Sequence, residues 1–173
     1  KIYEDVSHGE IDLGIVAYPN KRPQLLVAPF REDRLVLICS PQHPFAHFQR
    51  VSIKKLHGEK FVGFERDVAT RRALDRVFRQ HGIKVQYIVE MDNIETIKRV
   101  VEVGSGLSIV PEPAITQEVK NDTLRAIQFS DEPLMRPLGI LLKRGRRFTP
   151  AVQEFIDLLK DKSSRVLANA TSE

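Results

Sequence analysis

The sequence predicts an α/β fold made of two lobes, one of them discontinuous. Three observations predict it. Residues 60–119 alternate strand and helix patterns as β-α-β-α-β-α, the order of a small parallel sheet covered by helices with right-handed crossovers. The segment before that block is rich in strands. The segment after it returns through strands to a closing helix. The two ends of the chain therefore build one lobe (1–40 with 144–173) and the middle builds the other (41–143). Extended segments near Cys39–Gln42 and Arg136–Gly139 join them.

Each element has a local cause. Ile2, Tyr3 and Val6 fall at helical spacing and Gly9 supplies a left-handed stop, so residues 1–8 read as the last turns of a helix. Ile11 to Ala17 (IDLGIVA) is a buried strand closed by Pro19. Leu25 to Phe30 is a second extended piece and Arg34 to Cys39 (RLVLIC) a third. Ser40-Pro41-Gln42-His43-Pro44 ends it, because proline cannot continue a ladder. Lys60 to Phe64 is a short strand. Thr70 to His81 is a helix with Ala73, Leu74, Val77 and Phe78 on one face and Gly82 after it. Lys84 to Glu90 is a strand. Asn93 to Val103 is a helix with Ile94, Ile97, Val100 and Val101 inward, where Asp92 and Glu95 suit an acidic capping box. Leu107 to Val110 is a strand stopped by Pro111, and Glu112 to Val119 is a third helix. Leu124 to Phe129 and Pro137 to Lys143 are further strands. Thr149 caps a last helix that opens on Pro150 and buries Val152, Phe155, Ile156 and Leu159. The small polar tail after Lys162 is expected to fray.

Composition narrows the function classes. Apolar residues at 42% and charged residues at 29% are those of a globular protein. No apolar run approaches the ~20 residues that span a bilayer, so no membrane partner is expected. The single cysteine, Cys39, forms no internal disulfide, which fits a reducing compartment and a cytoplasmic location. The formal charge is +4, with one basic run at Lys143-Arg144-Gly145-Arg146-Arg147 that reads as a solvated turn rather than a phosphate contact. No zinc-finger spacing, basic–aromatic stripe or heptad marks a nucleic-acid module. The five histidines (His8, His43, His47, His57, His81) lack the HxxxH and HExxH spacings, and no GxSxG elbow occurs. No catalytic residue, metal or cofactor is therefore expected. Gly104-Ser105-Gly106 is not followed by a GxxxxGK pattern and reads as a helix stop feeding a tight turn.

Ligands of open α/β sheets bind beyond the carboxyl ends of strands. That rule selects the loops Phe64–Arg71, Glu90–Asn93 and Ala17–Pro19, with the Ser40 hydroxyl at the joint. Two of these loops open helix N-termini, which favour anions, and Arg66 and Arg71 add positive charge. A small anionic or carboxylate-bearing molecule held between the lobes follows. Each residue also has a plainer role. Thr70 and Asn93 suit N-caps, Arg71 and Arg72 suit solvated helix positions, and Ser40 suits a backbone partner beside Pro41.

The motifs His8-Gly9-Glu10-Ile11-Asp12-Leu13-Gly14-Ile15-Val16, Leu35-Val36-Leu37-Ile38-Cys39-Ser40-Pro41-Gln42-His43-Pro44-Phe45-Ala46 and Val103-Gly104-Ser105-Gly106-Leu107-Ser108-Ile109-Val110-Pro111 occur in this order, with Asn93-Ile94-Glu95-Thr96-Ile97-Lys98 between the last two. The chain thereby resembles the effector-binding domain of LysR-type transcriptional regulators from about residue 1 to 160. The resemblance implies a type II periplasmic-binding-protein-like fold and a coinducer between two lobes joined by two crossover segments. It implies a homo-oligomer, dimer or tetramer, and DNA contact through a winged helix-turn-helix outside this chain. By position it assigns the effector to Ser40, Pro41, Ala17, Tyr18, Arg66, Thr70, Asp92 and Asn93. The family's first strand and its Ser/Thr-rich loop have no counterpart in this sequence, so weak effector binding and low stability are expected of the chain alone. An extracytoplasmic solute-binding protein of the same fold is the alternative. An enzyme on this scaffold finds no nucleophile–base pair in the sequence.

Overall fold

The computed structural model describes residues 1–159. In chain order they form α1 (Ile2–His8), β1 (Leu13–Ala17), β2 (Leu25–Cys39), β3 (Arg50–Val51), β4 (Lys60–Phe64), α2 (Ala69–Gln80), β5 (Gln86–Met91), α3 (Ile94–Glu102), β6 (Ser108–Pro111), α4 (Thr116–Lys120), β7 (Arg125–Phe129) and β8 (Leu134–Lys143). A last helix, α5, covers 150–159. Contacts divide the chain into two compact units, Lys1–Glu32 with the chain from Pro137 on, and Asp33–Arg136. The divisions fall inside β2 and β8, not at the expected 40/41 and 143/144. Each of these strands is long enough to serve both units, so neither needs a break to change unit.

In the first unit β1 runs antiparallel to β8, with Leu13 opposite Leu142 and Ala17 opposite Leu138. The strand order there is β1-β8-β2. The core is small: Val6, Leu25 and Leu141 are buried, with Tyr3, Val16 and Val27 packed against them. Gly9 ends α1 at φ 80°, a left-handed position open to glycine at little cost. β1 is less buried than its sequence suggests. The strand starts at Leu13 rather than at Ile11, which is 37% exposed, and Ile15 within it is 40% exposed, since β1 has one neighbouring strand among the described residues. The two extended pieces expected at Leu25–Phe30 and Arg34–Cys39 are one strand that runs through Pro29. A strand paired on one side tolerates proline, whose missing N–H can face the open side. In α5 the Thr149 hydroxyl accepts from the Val152 N–H at 3.4 Å. Ile156 is buried as expected, but Phe155 is 48% exposed. The tail after Lys162 lies outside the described residues.

In the second unit the latter half of β2 pairs antiparallel with β6 (Leu35 opposite Pro111) and with β7 (Leu37 opposite Ile127). β7 takes β3 in parallel. β4 and β5 form a separate parallel pair, from Lys60 opposite Gln86 to Phe64 opposite Met91. Leu107 continues that parallel order by accepting from the Val62 N–H at 2.8 Å and donating to the Lys60 carbonyl at 2.9 Å. Beyond it the third strand of the expected parallel block leaves to pair antiparallel with β2, where Ile109 and Val110 are buried. The third expected helix is two pieces, a 3-10 turn at Glu112–Ile115 and then α4, with Pro113 inside the turn. One core packs Leu37, Leu56, Phe61, Phe78 and Ile127; the other packs Val62, Ile97, Val101 and Val110.

Candidate functional site

Because β4 and β5 are parallel, their carboxyl ends lie at the same end of the pair, and the loops after them open α2 and α3. The Glu65 N–H donates to the Met91 carbonyl at 2.9 Å, which ties one loop to the other. The Arg66 side chain is 85% exposed, with Nε 3.8 Å from a Glu90 carboxylate oxygen, longer than a hydrogen bond. Arg66, Asp92 and Asn93 are thus brought to one end of this strand pair.

Thr70 is not the N-cap of α2. The helix opens one residue earlier, Val68 holds the cap position, and no side chain caps it. Thr70 is instead buried in the first turn, 3% exposed, and makes no side-chain hydrogen bond among the described residues. Asn93 does cap α3: its Oδ1 accepts from the Thr96 N–H at 2.9 Å, and its Nδ2 donates to Asp92 at 2.8 Å. The capping box expected of Asp92 and Glu95 does not form, because Asp92 holds the cap's own amide and Glu95 turns to Lys98.

Arg72 is exposed, but Arg71 is not a solvated helix residue. It is 5% exposed. Its Nε donates to both Asp75 carboxylate oxygens at 3.0 Å, and its Nη1 reaches the Phe64 carbonyl at 2.7 Å and Glu90 at 3.1 Å. Burial disfavours its charge, but Tyr87, Asp75 and Glu90 outweigh that and hold its pKa above the ordinary value. The Tyr87 hydroxyl donates to Asp75 at 3.1 Å; burial and the Asp75 charge push that phenol well up, so it stays protonated. Sequence reasoning missed Tyr87 and Asp75, and took Glu90 only as the start of a selected loop. The one signal was the i,i+4 spacing of Arg71 and Asp75.

Ser40 follows β2 and is 3% exposed. Its carbonyl accepts from the His43 N–H at 3.1 Å, while the hydroxyl makes no hydrogen bond among the described residues. A Cβ at Gly104 would stand 3.7 Å from the Ser40 Oγ. Gly104 sits at φ 82° and its N–H donates to Val101 at 2.9 Å, so Gly104-Ser105-Gly106 is the helix stop that the sequence suggested. His43 Nδ1 accepts from the Phe45 N–H at 3.2 Å, and burial holds the imidazole below its ordinary pKa. Burial pushes the Cys39 thiol up to about 11, with Arg125 opposing.

In the first unit Ala17 ends β1 and Tyr18 takes φ 49° while its N–H donates to the Pro137 carbonyl at 2.8 Å. A positive φ at a residue other than glycine is a strained conformation that clusters at functional sites. The basic run also lies in this unit. Arg146 binds Asp12 and the Gly9 carbonyl, and Arg144 donates to the Pro23 carbonyl at 3.1 Å. Two of its charges therefore fasten the turn. No group of three or more His, Cys, Asp or Glu that could hold a metal occurs among the described residues. No described helix is long and apolar enough to cross a membrane.

A family model described as the LysR substrate binding domain matches residues 1–164. A probable RuBisCO transcriptional regulator of Cyanidioschyzon merolae is 31% identical over 161 residues, covering 90% of this chain and 53% of its own length. The RuBisCO operon transcriptional regulator of Allochromatium vinosum is 28% identical over 156 residues, covering 90% of this chain and 52% of its own. The chain thus spans about half the length of the curated relatives it matches. Among solved structures, the Synechocystis PCC6803 CcmR regulatory domain in complex with 2-PG superposes with a TM-score of 0.84 at 26% identity, covering 94% of this chain and 78% of that one.

Proposed function

The chain belongs to the LysR substrate-binding domain family, an effector-binding domain of type II periplasmic-binding-protein-like α/β fold, and on that premise we propose that its effector is a small anion, with 2-PG the first candidate. One observation carries the proposal. The N-terminus of α2, a 12-residue helix, has no side-chain cap, and the exposed Arg66 stands three residues before its first turn. Backbone N–H groups without helical partners, a partial positive charge and a guanidinium suit an anion. The buried Thr70 and Ser40 hydroxyls supply two uncharged donors, and Asp92 and Asn93 flank the second loop. Pro41 stiffens the turn that presents Ser40. In the first unit, Ala17 and the strained Tyr18 at the end of β1 are the candidate contacts. The complex of the similar Synechocystis domain with 2-PG supports this chemistry.

The whole protein then acts as a cytoplasmic transcriptional regulator, a homo-oligomer (dimer or tetramer) that contacts DNA through a winged helix-turn-helix outside this chain and catalyses no reaction. The relatives, named as transcriptional regulators, support that reading. Titration of 2-PG and inorganic phosphate into the full-length protein, read by thermal shift, tests it. Saturating ligand raises the melting temperature, since binding to the folded state alone adds to stability. Arg66→Gln and Ser40→Ala each weaken binding about tenfold, the scale of one hydrogen bond to a charged group. Stabilisation by uncharged ligands alone would overturn the anion.

A further inference from the structure

We infer that Arg71 is a positioning residue for this site, and that it works by drawing Glu90 away from Arg66. The inference rests on the reading above. Arg71 sits in the first turn of α2, buried, with its guanidinium carbon 3.5 Å from the centroid of the Tyr87 ring. Its fork engages three separate pieces of chain: Asp75 on α2, the Phe64 carbonyl that closes β4, and Glu90 near the end of β5. The first loop, carrying Arg66, starts from Phe64, and the second, carrying Asp92 and Asn93, starts beyond Glu90. One guanidinium therefore sets the spacing of both.

The Tyr87 ring covers one face of the guanidinium. A Cβ at Gly63 would lie 2.5 Å from a Tyr87 ring carbon, so glycine is what lets the ring lie under Arg71. Tyr87 in turn holds Asp75 through its hydroxyl. Only a planar fork meets these partners together while stacking on a ring; an ammonium of the same charge does not.

The consequence concerns charge. Glu90 lies between two arginines, at 3.1 Å from Arg71 and 3.8 Å from Arg66. The buried pair is the closer and less screened one, so the carboxylate rests on Arg71 and leaves Arg66 with its charge largely uncommitted. When Arg71 no longer holds it, Glu90 turns to Arg66 and neutralises the group that meets the anion.

Calorimetric titration of 2-PG into the full-length protein tests this, with circular dichroism to establish folding. Arg71→Lys is expected to weaken binding about tenfold. Adding Glu90→Gln to Arg71→Lys is expected to restore most of the loss, an outcome that a purely structural role of Arg71 does not produce. Glu90→Gln alone is expected to leave binding within about twofold of the parent, because Arg71 already holds that carboxylate. A gain above about threefold, the scale of one exposed ion pair, would show that Glu90 neutralises Arg66 despite Arg71, and this arm keeps the test decisive where Arg71→Lys does not fold. Parent-like binding by Arg71→Lys, no recovery in the double variant, or a gain above about threefold from Glu90→Gln overturns the inference while Arg66→Gln still weakens binding. If the parent does not bind 2-PG, or Arg66→Gln binds it like the parent, the anion site itself fails.

Discussion

The Lys98 ammonium lies 2.8 Å from a carboxylate oxygen of Glu118, and both side chains are nearly buried, at 6% and 11% exposure. Lys98 also reaches Glu95 at 2.9 Å and the Ala114 carbonyl at 3.0 Å. One helix, α3, is thereby fastened to the turn and helix that follow β6. Lys98→Met leaves Glu118 buried without its cation and is expected to lower stability by about 3 kcal/mol; pairing it with Glu118→Leu is expected to recover most of that. Urea titration measures both.

The same pair fixes a pH dependence. The hydrogen bond from Lys98 holds the Glu118 pKa below the ordinary carboxylate value, so its contribution is present above that value and is lost as pH falls through the folded pKa. For Lys98 burial works against the charge, but the bonds to Glu118 and Glu95 prevail and raise its pKa. That contribution is present below the ordinary lysine value and is lost as pH rises through the raised one. Unfolding followed from pH 3 to 7 should show an acid loss in the parent that is smaller in the Lys98→Met, Glu118→Leu double variant.

Gly63→Ala tests close approach rather than backbone freedom. The added methyl would meet the Tyr87 ring at 2.5 Å and its neighbouring carbon at 2.6 Å. A cost of about 1–3 kcal/mol is expected, as for other overpacked sites. A change below about 0.5 kcal/mol in urea titration would show that the ring moves aside freely.

Asn93 has a structural duty that is separable from any effector contact. Asn93→Ala removes the cap of α3 and is expected to cost about 1 kcal/mol, while Asn93→Ser keeps an acceptor for the Thr96 N–H and costs little. If Asn93→Ser matches the parent in stability but binds 2-PG more weakly, the amide touches the effector as well.

Cys39 is fully buried, and its thiol is pushed up to about 11. The thiolate is the reactive form, so alkylation by iodoacetamide at pH 8 is expected to be slow in the folded protein and to appear on unfolding. Rapid labelling of the folded protein would show that this end of β2 opens.

Most elements were legible in the sequence, for local reasons. Gly9 and Gly104 stop helices where their left-handed turns do, Thr149 and Asn93 cap, and the apolar spacing of 94–101 names the buried face of α3. Strand ends also pointed to the loops that hold Arg66 and Asn93. Pairing was less legible. Nothing local distinguishes Leu107, which continues the parallel order, from Ile109, which joins β2 antiparallel. The break expected between Phe30 and Arg34 is the interior of one strand.

The sequence by itself determined the family, the α/β class and the residue types that could meet an anion, because motifs, periodicity and capping are properties of neighbouring residues. Only the tertiary structure decided which of those residues are free to act. Arg66 and Arg71 are five positions apart and chemically alike, yet one is 85% exposed and the other 6% at the side chain. That difference comes from Phe64, Tyr87 and Glu90, partners from two strands whose approach no local pattern encodes.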